Sequence, residues 1–307
     1  MKPVQTPARP DQSSERLGLL AMTSGSVLWG FAPLFFGYFV AFPLDEGVAH
    51  RAVWAVIWLA CLVIPLGMRR QVISILTNWR QMVGLTIAAA LVGINWAIFL
   101  YAIAVNQLVE ASFGYFIYPL MAIAIGVVVL GERLSLKSWA AVGLATAGVI
   151  LKGGAIGEWP WIALAVGGSF ALYAVLRRQS DVDALHGIMV EMIILGSVGC
   201  AFLLAKTLIF APDRHFFFDG TSYGMMMAIA SGLVTALPLL LFHLGNRALA
   251  FSQAGFLFYI NPSMQLAVGV MIFAEPFSLF DMAAFGLIWT GLILHLLPFG
   301  VKTARPE

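Results

Sequence analysis

The chain has 307 residues, of which 61% are hydrophobic and only 10% are charged, and its mean hydropathy is +0.93. Soluble domains carry about a quarter charged residues, so this composition excludes an ordinary soluble globular protein. The formal net charge is only +2 and the basic residues are scattered, which excludes the basic stripe of a nucleic-acid-binding protein.

Apolar runs separated by polar breaks predict an all-α integral membrane protein with ten transmembrane helices, because about 20 apolar residues are needed to cross a bilayer. Residues 1–16 and 299–307 form polar tails, the first of which we expect to be disordered. The predicted spans are 17–40, 47–67, 81–103, 110–130, 137–153, 159–176, 184–210, 223–243, 252–273 and 278–298.

The distribution of lysine and arginine predicts that both termini lie in the cytoplasm, since cytoplasmic loops carry the excess of basic residues. With the N-terminus inside, only Lys152, Lys206 and Arg214 fall on the external side, and Arg51 falls within a span. The cytoplasmic segments then hold Lys2, Arg9, Arg16, Arg69, Arg70, Arg80, Arg133, Lys137, Arg177, Arg178, Arg247, Lys302 and Arg305.

An internal repeat divides the chain into two halves, 17–153 and 159–298. At a shift of 143 residues, the segment 111–119 (ASFGYFIYP) falls on 254–262 (AGFLFYINP), and the match continues without a gap through Glu132 and Glu275. Each half has five spans, an odd number, so the second half enters the membrane inverted. This 5+5 plan is that of many secondary transporters, which bind substrate near the midplane between the repeats.

Pro119 and Pro262 are predicted helix kinks, each about eight to ten residues into its span and so close to the bilayer centre at ~1.5 Å per residue. Four side chains lie beside them: Tyr115, Tyr118, Tyr259 and Asn261. We expect them to line a cavity. The alternative is a structural kink whose tyrosines bond to neighbouring helices.

Ionisable residues within spans are costly to insert, which makes each of them a candidate for function. Arg51 follows His50 and lies one turn after Glu46; it either holds a substrate carboxylate or phosphate, or pairs with Glu46. Glu191 lies two turns into the seventh span and is a candidate for proton coupling together with His50. The alternative role for Glu191 is a hydrogen bond between helices.

Asn95 and Trp96 lie in the outer half of the third span. An asparagine in hydrocarbon needs a partner, which is either another helix or a ligand. We therefore include both residues in the predicted substrate site.

Several of these segments together resemble the RarD group, in the EamA-type branch of the drug/metabolite transporter superfamily. They are Trp29-Gly30, Glu46 with His50-Arg51, Asn95-Trp96, residues 110–120 (EASFGYFIYPL) and residues 131–134 (GERL). The resemblance covers nearly the whole chain and implies ten helices in an inverted repeat and a bacterial inner-membrane permease. RarD proteins tend to have asparagine where this chain has Tyr118, and here the asparagine of this motif is present in the second half of the chain, as Asn261.

The sequence thus predicts a multi-pass secondary transporter that moves a small metabolite or drug-like molecule by alternating access, with no metal or cofactor. A membrane-embedded enzyme and a channel are the alternatives, but the sequence has no zinc-binding helix motif, no phosphate-binding loop and no selectivity element. Coupling to an ion gradient and facilitated diffusion both fit the sequence, as do a monomer and a homodimer. The predicted substrate-binding residues are Arg51, Asn95, Trp96, Tyr115, Tyr118, Tyr259 and Asn261.

Overall fold

The computed structural model describes residues 12–63, 65, 67–130, 135–157, 159–210, 221–249 and 251–296, and within these ranges the regular structure is entirely helical. A short 3₁₀ helix, Gly37–Ala41, follows the first helix, and a π-helical turn, Lys206–Phe210, extends the eighth. The helices are α1 (Gln12–Phe36), α2 (Leu44–Val63), α3 (Arg69–Leu76), α4 (Trp79–Ala104), α5 (Leu108–Leu130), α6 (Leu136–Ile156), α7 (Trp161–Arg178), α8 (Ala184–Ala205), α9 (Ser222–Ala248), α10 (Phe251–Phe258), α11 (Ile260–Met271) and α12 (Leu279–Leu296).

Each predicted apolar run coincides with one of these helices, or with α10 and α11 together for the run 252–273. Among the described residues, five stretches are long and apolar enough to cross a membrane by length and composition: Ser13–Ala41, Trp79–Ala104, Leu108–Val128, Ala184–Ile209 and Ser222–Gly245. Phe256–Met271 and Leu279–Leu294 are shorter apolar helices. The α2 helix has Asp45 and Glu46 in its first turn and contains Arg51.

The helix boundaries depart from the predicted ones at two places. The α1 helix begins at Gln12, within the predicted tail, because polar residues outside the bilayer can continue a helix, and Glu15 favours its first turn. The run 252–273 is interrupted at Tyr259. Predicted segments at 1–11, 131–134 and 297–307 lie outside the described residues.

The two prolines act differently on their helices. A proline removes one backbone hydrogen bond and crowds the carbonyl four residues earlier. For Pro262 that carbonyl belongs to Phe258, where α10 ends, so the break between α10 and α11 follows from the proline. Pro119 lies inside α5, which continues unbroken to Leu130.

The two halves of the chain are packed into each other rather than side by side. The first helix, α1, packs mainly on α9, α11 and α10 of the second half, and α7 packs mainly on α5 and α4 of the first half. The α2 helix packs on α8 and α9, while α6 and α12 pack on each other. Gly167 allows a close approach of α7 to α5, since a Cβ there would lie 2.8 Å from the carbonyl oxygen of Gly114.

The contact between α6 and α12 is reciprocal. A Cβ on Gly148 would lie 3.0 Å from the carbonyl oxygen of Ala284, and a Cβ on Gly291 would lie 3.0 Å from that of Ala141. Residues 141 and 284, like 148 and 291, are 143 positions apart. The two helices therefore present equivalent surfaces to each other, as a two-fold relation between them requires.

Two carboxylates, Glu275 and Asp281, join helix ends. Glu275 accepts hydrogen bonds from the backbone N–H groups of Leu108 and Val109, each at 2.7 Å, and so caps the start of α5. Lys152 on α6 forms an ion pair of 2.6 Å with Asp281 on α12. Each of these charges is satisfied by a partner on another helix, so the loss of one partner would leave the other without compensation.

Candidate functional site

A cavity of about 90 Å³ lies among eight of the predicted spans, four from each half of the chain. Its walls come from α1, α2, α4 and α5 and from α7, α8, α9 and the α10–α11 pair. Among the described residues, α6 and α12 contribute no side chain to it. The lining residues are Trp29, Ala32, Arg51, Val92, Asn95, Trp96, Phe99, Tyr115, Phe170, Tyr173, Glu191, Met192, Thr235, Leu239, Phe242, His243, Phe258, Asn261 and Gln265.

Arg51 is the buried cation of the cavity, with only 5% of its surface exposed. Its Nε donates a hydrogen bond of 2.8 Å to the hydroxyl of Thr235 on α9. Its guanidinium carbon lies 4.2 Å from the ring centroid of Trp96 and 4.5 Å from that of Phe36, within the range of a cation–π interaction. The side chain is therefore held in one orientation by groups from both halves.

Glu46, the alternative partner of Arg51, forms an ion pair with another residue. Glu46 lies 2.9 Å from the ammonium group of Lys206, which also contacts Asp45 at 2.9 Å. This cluster joins the start of α2 to the end of α8. Arg51 instead turns toward the cavity, and its Nη1 is buried without a hydrogen-bond partner among the described residues.

The amide nitrogen and the amide oxygen of Asn95 both form hydrogen bonds, and these bonds connect three helices. Its amide nitrogen donates to the carbonyl oxygen of Val166 at 3.0 Å and to the hydroxyl of Ser169 at 3.1 Å, both on α7. Its amide oxygen accepts a hydrogen bond of 2.8 Å from the hydroxyl of Tyr115 on α5. Asn95 therefore positions the ring of Tyr115, which forms part of the cavity wall.

Asn261 and Gln265 provide a pair of amides on α11, one turn apart. The Gln265 nitrogen donates to the Asn261 oxygen at 2.9 Å, and both side chains are buried. The remaining amide oxygen of Gln265 has no partner among the described residues. The sequence analysis missed Gln265, although its spacing of four residues from Asn261 in an apolar helix places both on one face.

Glu191 is buried at the opposite end of the cavity from the start of α2. Its carboxylate lies 3.2 Å from the Nε of Arg177 and accepts a hydrogen bond of 3.1 Å from Tyr173, both on α7. Arg177 in turn donates to the hydroxyl of Ser180 at 3.2 Å. Glu191 thus belongs to an ion pair between α7 and α8, which sequence reasoning did not assign because Arg177 was placed in a loop.

Three predicted residues do not line the cavity. Tyr118 lies behind its wall, with its ring 4.9 Å from Phe170 and 5.2 Å from Phe258. Tyr259 stacks on Phe116 at 5.8 Å, on the side of α5 that faces α12. His50 is buried on α2 beside Arg51, but one residue of helix turns its side chain by about 100° away from the cavity.

The aromatic wall is larger than predicted. Phe170, Tyr173, Phe242 and Phe258 join Trp29, Trp96, Phe99 and Tyr115 in lining the cavity. Single aromatic residues in apolar helices carry no signal of which face they occupy, so only their number in the chain could have suggested such a wall. Within the described residues, no group of three or more metal-ligating side chains lies together.

Comparison with known proteins places the chain in a family. Residues 16–153 match the model of the EamA-like transporter family. An uncharacterized transporter of Vibrio cholerae is 35% identical over 93% of both chains. The RarD proteins of Salmonella typhimurium and Escherichia coli are 33% and 31% identical, over 94% of this chain and 97% and 96% of theirs.

A crystal structure of another protein shares the fold. It superposes with a TM-score of 0.58 at 17% sequence identity, over 92% of this chain and 96% of that one. The match to the family model and the identity of 31–35% to bacterial relatives over nearly the whole chain show that this protein belongs to the RarD group of the EamA-like family of membrane transporters.

Proposed function

We propose that the chain is a secondary transporter of the bacterial inner membrane that moves a small molecule by alternating access. The observation that carries this proposal is the position of the cavity, which is walled by four predicted spans of each half while α6 and α12 stay outside it. A site between two halves is exposed to one side or the other when the halves rock against each other.

The proposal includes ten spans in an inverted repeat of five and five, with both termini in the cytoplasm. The shift of 143 residues carries the α5 range 108–130 onto 251–273, which α10 and α11 occupy, and the α6 range 136–156 onto 279–299, where α12 lies. The reciprocal contacts of Gly148 and Gly291 support the same two-fold relation.

The ion pairs fit this topology. Lys206 at the end of α8 contacts Glu46 at the start of α2, and Lys152 at the end of α6 contacts Asp281 at the start of α12. In the proposed orientation all four residues lie at the external ends of their helices. Glu191 and Arg177 lie together toward the cytoplasmic side.

In the proposed mechanism, the aromatic wall packs against the apolar part of the substrate and Arg51 orients its polar group. Glu191 exchanges its pairing with Arg177 for a proton, which couples transport to the proton gradient. The relatives are named as transporters, which favours transport over catalysis.

A test that needs no substrate uses single cysteines. Both native cysteines are exposed on their helices, so Cys61→Ser and Cys200→Ser give a cysteine-free background. In this background, Ala32→Cys places a thiol in the cavity wall. We expect a membrane-impermeant maleimide to label it from outside in intact cells and from inside in inverted vesicles.

Two exposed positions serve as controls for sidedness. Gln107→Cys, between α4 and α5, is expected to react only from outside, and Ser74→Cys, on α3, only from inside. Labelling of the cavity thiol from one side only under all conditions would contradict alternating access. Labelling of both controls from the same side would contradict the proposed topology.

A further inference from the structure

The cavity contains a positive charge that no described carboxylate neutralises. Arg51 is 5% exposed and its hydrogen-bond partner, Thr235, is neutral. The one carboxylate in the cavity wall, within the described part of the chain, is Glu191, and it is already paired with Arg177. The charges of the Glu191–Arg177 pair cancel, so the site as a whole is cationic and electrostatically complementary to an anion.

The geometry of Arg51 and the walls around it limit the kind of anion. Its Nε is used by Thr235, and rings of Trp96 and Phe36 lie within 4.5 Å of the guanidinium carbon. The donors that remain are on the two terminal nitrogens, and Nη1 has no partner among the described residues. Two N–H groups in one plane match two oxygens of a carboxylate or of a phosphate, and between these apolar walls a singly charged carboxylate costs less to bury than a doubly charged phosphate.

The side-chain oxygen of Gln265, in the same cavity, also has no described hydrogen-bond partner and therefore calls for a hydrogen-bond donor on the ligand. The side chain of Gln265 is 3% exposed, and its nitrogen is used by Asn261, which leaves its oxygen without a described partner. A buried acceptor without a donor is costly. A hydroxyl or N–H group on the ligand would satisfy it.

The walls and the volume limit the rest of the ligand. Eight aromatic side chains surround the space between these polar groups, and aromatic faces pack well on a flat apolar body. The cavity volume of about 90 Å³ is below the ~150 Å³ of an engineered cavity that accommodates benzene, so a ligand with one ring requires the walls to move apart on binding. A drug-sized compound would require a much larger opening and is disfavoured.

We propose that the substrate is a small organic carboxylate of single-ring size, whose carboxylate binds Arg51 and whose hydroxyl or N–H group donates to Gln265. This inference rests on the proposed transport function. A zwitterionic amino acid fits less well, because its ammonium group needs an anion and the charge of Glu191 is balanced by Arg177, although Glu191 Oε1 accepts no hydrogen bond among the described residues.

Binding of matched probes to the purified full-length protein, measured by calorimetry, tests the proposal. We expect 4-hydroxybenzoate to bind at least about tenfold more tightly than 4-hydroxybenzamide, since only the acid offers a charged acceptor to both terminal nitrogens of Arg51. Benzoate lacks the donor for Gln265 and is expected to bind more weakly than 4-hydroxybenzoate. Equal binding of acid and amide, or tighter binding of tyrosine or tyramine, would overturn the proposal.

Variants assign the contacts. Arg51→Lys keeps the charge without the two-pronged donor, and Gln265→Met removes the acceptor at similar volume. We expect Arg51→Lys to weaken the binding of 4-hydroxybenzoate about tenfold or more. We expect Gln265→Met to abolish the preference for 4-hydroxybenzoate over benzoate. Arg80→Gln removes an exposed arginine outside the cavity and serves as the control for charge. Unchanged 4-hydroxybenzoate binding in folded Arg51→Lys, judged by size-exclusion chromatography, would contradict the assignment.

The outcomes separate this inference from the proposed function. If the thiol of Ala32→Cys is labelled from both sides and none of the acids binds, the substrate class is wrong and transport by alternating access stands. If 4-hydroxybenzoate binds through Arg51 but the thiol is labelled from one side only, the binding site stands and the transport cycle is wrong.

Discussion

The ion pair between Glu191 and Arg177 gives the sharpest test of which polar groups serve structure and which serve transport. The carboxylate is 1% exposed and the guanidinium 12%, at a distance of 3.2 Å. Removing one partner of a buried pair costs about 3–5 kcal/mol, whereas replacing both by apolar side chains of similar size is often neutral. Because Arg177 is partly exposed, water compensates some of its charge, and the cost of removing Glu191 should lie at the lower end of about 3–5 kcal/mol.

We therefore expect Glu191→Met to lower stability by about 3 kcal/mol, which corresponds to a fall in melting temperature of about 5 °C for a chain of this size. The double variant with Arg177→Met is expected to recover most of that loss. The measurement is a double-mutant cycle of thermal unfolding in detergent. Additive effects of the two substitutions, within about 0.5 kcal/mol, would refute a stabilising pair.

The same variants test proton coupling through Glu191. If the carboxylate exchanges Arg177 for a proton, then a proton gradient should change the labelling rate of a thiol at position 32, and Glu191→Gln should remove this dependence. Tyr173→Phe removes the hydroxyl that donates to Glu191 but keeps the ion pair, and is the matched control. A labelling rate that responds equally to the gradient with and without Glu191 would assign the carboxylate a structural role alone.

The remaining predictions concern contacts that the fold depends on. Gly148→Leu is expected to destabilise the protein by about 1–3 kcal/mol, because a Cβ at this position meets a backbone oxygen at 3.0 Å. Gly143 faces open space, so Gly143→Leu should be tolerated. Thermal unfolding of the two variants measures the difference. Glu275→Ala should lower the free energy of unfolding by about 3–5 kcal/mol, since it removes two charged hydrogen bonds to the start of α5. Glu275→Gln should lower it by less, and equal losses for the two variants would contradict the capping role. Tyr115→Phe leaves the oxygen of Asn95 without its donor and should cost about 1–3 kcal/mol in the same assay, and unchanged stability would show that the hydrogen bond does not contribute.

The sequence by itself determined where the helices lie, and its internal repeat predicts a division into two related halves. Long apolar runs leave no other regular structure in a bilayer, because only a helix satisfies every backbone group within its own segment. It also identified most of the polar residues of the cavity. Arg51, Asn95, Asn261 and Glu191 are recognisable because a polar group within an apolar run is costly and therefore rare.

Only the tertiary structure decided which face each helix turns to the cavity. Tyr118 and Tyr259 lie beside the prolines in sequence, yet the rotation of α5 and of the α10–α11 pair places them outside the cavity wall. In soluble proteins an apolar stripe marks the inner face. In lipid, both the outer and the inner face of a helix are apolar, so the sequence carries no such stripe.

The tertiary structure also decided the partners of the buried charges. Glu46 follows Asp45 and precedes Arg51 by one turn, but pairs with Lys206, and Arg51 bonds to Thr235, 184 residues away. Local spacing favours partners on the same helix, whereas the packing of α2 between α8 and α9 brings closer ones from the other half. The spacing of residues along the chain fixes the helices, and the contacts between the halves fix the chemistry of the cavity between them.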